Sequence, residues 1–163
     1  MNDTPGSPPY TLGLDEKSSG VMIYTATGVS WGEVLVKNQI RVSTWLRTNA
    51  APEIICLYNA KTLFVSGGGS AKVLAFREQH ISANQVLAYH LIPPAREPID
   101  YDPTEPNRRM DPVSVLIGQF RLDGSVRVAS RTTLATHLEI SRETYSPLYD
   151  VEVTCPILPS LKP

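Results

Sequence analysis

The residues that could do chemistry are few and scattered. The histidines are His80, His90 and His137, and the cysteines are Cys56 and Cys155. A zinc site needs three or four ligands at short spacing, and no such run exists in the sequence, so no metal and no cofactor are expected. Both cysteines stand in apolar, β-favouring surroundings with no CxxC partner, which predicts two buried small hydrophobes rather than reactive thiols. Serine, histidine and acids are all present, but without a nucleophile elbow of the GxSxG kind. Gly67-Gly68-Gly69-Ser70-Ala71-Lys72 lacks the spacing of a phosphate-cradling loop and reads as a hairpin tip. Asp100, Asp102, Glu105 and Asp111 are separated by Pro103 and Pro106, which hold the chain extended and keep the acids from converging on a cation. Arg41 and Arg127 sit in similar contexts and could grip a carboxylate or phosphate. Strand alternation assigns them to a solvent face, paired with Glu33 or Asp123 across a hairpin. No catalytic residue is assigned.

The elements that must carry these groups follow from composition and periodicity. The chain has 163 residues, a formal net charge of −1 and 14 prolines. So much proline argues against long helices, and the balanced charge argues against a dedicated nucleic-acid or anionic-membrane surface. Six prolines fall within residues 93–112, a stretch with no period of 2 or 3.6, which reads as an extended acidic connector. It separates a flexible arm (1–17) and a first β lobe (18–92) from a second, shorter β unit with an apolar tail (113–163). The polar, proline-rich start and the lack of any long apolar run point to a cytoplasmic protein with no membrane segment.

The lobes look alike. Gly32 to Ser43 aligns without a gap on Gly118 to Ala129, and Leu57-Tyr58-Asn59 matches Leu148-Tyr149-Asp150. This register predicts hairpin turns at Asn38-Gln39 and Gly124-Ser125, with returning strands Ile40-Arg41-Val42 and Val126-Arg127-Val128. A short helix follows in the second copy, capped by Ser130 and holding Leu134 and Leu138. The fold class is mainly β: a small barrel or sandwich lobe plus a related, shorter β unit with one short helix.

The paired pattern resembles uncharacterised bacterial tandem-repeat β domains of unknown function. It runs Gly-x-[Val/Phe]-x-[Val/Leu], turn, [Ile/Val]-Arg-Val, short helix, Leu-Tyr-[Asn/Asp], and covers residues 30–60 and 115–153. The resemblance implies a duplication and no activity. The expected function is a non-catalytic module for protein–protein interaction, assembly or ligand sensing that self-associates or binds another protein. Its contact surfaces are the edge strands of the shorter unit and the tail residues Ile157, Leu158 and Leu161, with Arg41, Arg127 and Tyr101 as further partner-binding residues. The alternatives are a small-barrel binder of single-stranded nucleic acid, disfavoured because the aromatics do not interleave with basic residues, and an enzyme without a recognisable motif.

Overall fold

A computed structural model describes residues 8–48, 51–65 and 71–159. The chain is mainly β, with strands in 51% of those residues, arranged in two antiparallel sheets. Strands β1 (Glu16–Thr25), β2 (Gly28–Lys37), β3 (Ile54–Val65), β4 (Ala71–Ser82) and β5 (Ala88–Leu91) form the first, in the order β4-β3-β2-β1-β5. Strands β6 (Arg108–Ile117), β7 (Phe120–Ala129) and β8 (Tyr149–Thr154) form the second, in chain order. Two short helices, α1 (Val42–Trp45) and α2 (Leu134–Ile140), interrupt the strand succession.

Of the two forms expected for the first lobe, barrel or sandwich, the closed barrel is not the one formed, because β4 and β5 are the two edges of their sheet and do not pair. Tyr145 occupies the region between their facing ends. Its hydroxyl donates to the carbonyls of Ala83 and Val86, and its ring meets Tyr89 of β5 edge-on, with centroids 5.3 Å apart.

Period-2 alternation divides the side chains between two cores. Val21, Ile23, Val34, Val36, Ile55 and Leu57 point to one face of the large sheet, where Val42, Trp45 and Leu46 cover them. Met22, Tyr24, Val29 and Leu63 point to the other face and meet Phe120 and Leu122 of the small sheet and Cys155 just after β8. Tyr24 and Phe120 are fully buried, edge to face at 5.0 Å. Burying each such ring contributes roughly 2–3 kcal/mol, so the small sheet shares its core with the large one.

One polar cluster lies within the large sheet. Ser30 and Thr62 are buried and their hydroxyls meet at 2.8 Å, while Thr62 donates to Gln79 Oε1 and Gln79 Nε2 donates to Ser30. If Ser30 donates to Thr62, this ring of three bonds satisfies every hydroxyl it contains, as buried polar groups require.

The path β1-β2-α1-β3 matches β6-β7-α2-β8 element by element. β1, β2, β6 and β7 each span ten residues. Each of β6, β7 and α2 begins 92 residues after its counterpart. Both second strands carry a bulge, at Gly32 and Gly124, where pairing with the third strand shifts register. A Cβ on Gly32 would lie 2.7 Å from the Tyr58 carbonyl oxygen, and one on Gly124 would lie 2.9 Å from that of Tyr149. The residues after those tyrosines, Asn59 and Asp150, have φ of 50° and 51°, a conformation that Asn and Asp tolerate best among non-glycine residues.

This geometry corrects the alignment of Gly32 with Gly118. Gly32-Glu33-Val34-Leu35-Val36 lies over Gly124-Ser125-Val126-Arg127-Val128 instead. Ile40-Arg41-Val42 is not a returning strand, since Val42 opens α1. β7 runs straight through Asp123-Gly124-Ser125, and the chain turns at Gly118-Gln119, where Gly118 has φ of 57°. A glycine that makes room for a neighbouring carbonyl resembles a turn glycine when only its own strand is in view. The helix cap is Thr133, whose hydroxyl accepts from the Thr136 N–H, rather than Ser130.

Candidate functional site

The acidic connector is exposed over most of its length but anchored at Glu97, Asp100, Tyr101 and Glu105, and its last residues, from Arg108, already belong to β6. Glu97 sits at the start of α1, where its carboxylate accepts from the Val42 N–H at 2.7 Å and the Ser43 N–H at 3.0 Å. Burial opposes ionisation there, but these N–H groups hold the Glu97 carboxyl below its usual range. Asp100 accepts from the Tyr149 hydroxyl at 2.8 Å and faces Arg47 at 3.6 Å. Burial, reinforced by Asp100, pushes the Tyr149 phenol well above its ordinary range. Tyr101 lies edge-on to Tyr149 at 5.0 Å and beneath the Arg127 guanidinium at 4.6 Å. Arg127 also donates to the Asp102 carbonyl at 3.0 Å and pairs with Glu105 at 2.6 Å, which lowers the Glu105 carboxyl. Turns at residues 93–94, 103–104 and 106–107 break the segment, and its acids and tyrosine reach separate partners in turn.

Between connector, β7 and the loop after α2 lies an open cleft of about 320 Å³, lined in part by Arg47, Asp100, Tyr101, Arg127, His137 and Glu143. Its charges are largely spent on one another: Arg47 pairs with Glu143 at 2.9 Å as well as with Asp100. The cleft is a polar clasp between the two halves of the chain.

The expected partner-binding residues are thus redistributed. Arg127 does not face solvent, because its side chain is only 16% exposed under the connector. Arg41 precedes α1 and donates to the Pro98 carbonyl at 3.4 Å. The structure brings Arg127 and Tyr101 together and leaves Arg41 on a different element, so the two arginines are not equivalent. Neither pairs with Glu33 or Asp123: Asp123 binds Arg121 at 2.9 Å, and Glu33 accepts from Tyr10 and Asn59. The tail folds back, packing Leu158 against the shared core, while Ile157 stays exposed. Leu161 and the loop Gly67–Ser70 lie outside the described residues.

The thiols diverge. Cys155 is buried in the shared core as expected, but Cys56 is half-exposed on β3 and donates to Glu78 at 3.2 Å. Across the strand pair, His80 stands opposite Cys56, with its Nε2 3.1 Å from Glu78. The sulfur, carboxylate and imidazole donors all lie within 4.8 Å of one another. His90, by contrast, is on β5 at the opposite edge of the sheet. Its Nδ1 lies 2.7 Å from the Leu91 carbonyl and its Nε2 3.0 Å from the Tyr24 hydroxyl. Burial pushes the His90 imidazole below its ordinary value.

Among the described residues, the longest strand with an unpaired edge is β4. It is twelve residues long, hydrogen-bonded to β3 on one side only, and exposed along most of its length. Val73 is 52% and Phe76 37% exposed, with Ala75 between them also exposed. Among the described residues no helix is long and apolar enough to cross a membrane. Comparison with known protein families, curated proteins and solved structures finds no match to this chain.

Proposed function

We propose that the protein is a non-catalytic assembly module that self-associates through β4. The observation that carries this reading is the open β4 edge: a twelve-residue strand whose alternate residues present unpaired N–H and C=O groups, with Val73, Ala75 and Phe76 exposed beside it. Edge strands of that length are ordinarily shortened, bulged or covered, since they invite pairing with another chain. The occupant is a second copy, because antiparallel β4–β4 pairing around a two-fold axis satisfies the same edge on both partners and closes the assembly at a dimer. The edges of the shorter unit are less suited to this role: β8 has six residues, and the exposed apolar groups of β6 are spaced apart at Met110 and Leu116.

The nucleic-acid alternative loses support from the clasp, where Arg47, Arg108 and Arg127 are each paired with a carboxylate of the same chain. A cytoplasmic setting accords with Cys56 and Cys155 being free thiols. The duplication read from the sequence is supported, in the corrected register, by the paired bulges and the paired left-handed Asn59 and Asp150.

Light scattering on the full chain tests the reading. The expected result is a dimer at high micromolar concentration, converted to a monomer by Val73→Lys with Ala75→Lys, which place charges along the edge without touching either core. A strict monomer at all concentrations overturns it.

A further inference from the structure

We propose that Cys56, Glu78 and His80 form a three-ligand site for a divalent transition metal of the zinc class. The argument begins with register. Cys56 and His80 are direct cross-strand partners, and Glu78 lies two residues before His80, so period-2 alternation puts all three on one face of the β3–β4 pair. Glu78 Oε1 is 3.2 Å from the Cys56 sulfur and 3.1 Å from His80 Nε2. A tetrahedral ion with bonds of about 2.0–2.3 Å to N, O and S needs its donors roughly 3.5 Å apart. The observed spacing therefore requires only small side-chain adjustments.

The chemistry of the set is selective. A thiolate with an imidazole favours zinc-class ions over magnesium or calcium, which prefer oxygen donors throughout. One thiolate, one carboxylate and a neutral imidazole balance the charge of a divalent ion, so a half-exposed sheet face can hold it without a further counter-charge. On binding, the Cys56 thiol gives its proton to solvent and the sulfur pair takes up the metal, with no change in oxidation state. Three protein ligands leave a fourth position open to water or another small ligand. Tyr58, the cross-strand partner of Glu78, shares the strand face of the cluster, with Tyr10 packed on its ring at 5.0 Å. The contacts within the metal-free cluster are weak: an exposed His–Glu pair contributes about 0–1 kcal/mol and a thiol is a poor donor. Strand register, rather than those contacts, holds the three donors together.

The site is independent of β4 self-pairing, which uses backbone groups and the residues around Val73 to Phe76. The test is titration of the reduced full-length chain with Co(II), followed by competition with Zn(II). The expected result is one equivalent bound, a thiolate-to-cobalt charge-transfer band, intense visible bands of tetrahedral geometry, and displacement by Zn(II). Cys56→Ser should abolish the charge-transfer band and His80→Ala should weaken binding at least roughly tenfold, while Cys155→Ala leaves both unchanged. Circular dichroism on each variant separates ligand loss from misfolding, and both ligand positions are exposed enough to tolerate change. No charge-transfer band with the wild-type chain, or a band that survives Cys56→Ser, overturns the proposal.

Discussion

The two β-β-α-β units follow the same path and are completed in different ways. In the first, both outer edges gain a strand: β4 pairs with β3, and β5 pairs with β1. In the second, β6 and β8 gain no strand among the described residues, and the connector lies against β7 and β8 instead. The tyrosine that faces each bulge from the third strand shows the parallel closely. Tyr58 is packed by Tyr10 from the segment before β1, and Tyr149 is packed by Tyr101 from the segment before β6. The position that is Leu35 in the first unit is Arg127 in the second, and this arginine grips the connector. A common backbone path can thus be finished by strands, leaving a long free edge, or by a docked segment with a polar clasp.

The largest effect should come from the core that joins the units. Phe120→Ala removes a fully buried ring against Tyr24 and should cost about 3–5 kcal/mol. Denaturant unfolding followed by fluorescence should remain a single transition at lower midpoint. A separate early transition of the small sheet would show that the units fold independently.

The bulge glycines come next. Gly32→Ala should destabilise by about 3 kcal/mol and Gly124→Ala by about 2 kcal/mol, because each new methyl meets a backbone carbonyl. The order follows from position, since β3 is held between β2 and β4 whereas β8 is a sheet edge that can shift. Thermal melts giving a large loss in one variant and none in the other would break the parallel between the bulges.

A smaller effect should follow loss of the connector's anchor. Glu97→Ala leaves two N–H groups at the start of α1 without their acceptor and should cost about 1 kcal/mol. Amide exchange at Val42 and Ser43 should accelerate in the same variant, while exchange in β7 stays slow.

The mildest effect is a pH dependence. His90 titrates below its ordinary value of 6.5 when folded, so the unfolded chain binds a proton that the native chain refuses. Its contribution is intact above 6.5 and is lost as pH falls through the lowered folded value. The carboxyls held low by their partners, such as Glu97 with an ordinary value of 4.5, lose their contribution only in more acid solution. Stability should therefore decline between pH 6.5 and 4.5 in the wild type and more gently in His90→Gln.

Alternation made most strands readable, because Val34/Val36 and Val126/Val128 must reach a core on one face only. The turns were harder. Asp123-Gly124 has the composition of a hairpin turn, yet Gly124 is needed where the Tyr149 carbonyl crosses β7, and that strand lies 25 residues further along the chain. The connector's prolines said nothing of its anchoring, since its partners Arg47, Arg127 and Tyr149 come from distant segments. The Cys56–Glu78–His80 cluster was invisible for the same reason: Cys56 is 22 and 24 residues from the other two along the chain, and only the β3–β4 register brings it to their face. Short-range signals define elements, whereas sites built across strands depend on pairing.

The assembly role of β4 is tested most directly by amide hydrogen exchange resolved along that strand at two protein concentrations. Self-pairing predicts that the outward-facing amides of β4 are exposed in dilute solution and become protected when concentrated, and that Val73→Lys with Ala75→Lys abolishes this gain. Outward-facing β4 amides that exchange at the same fast rate at both concentrations would contradict it.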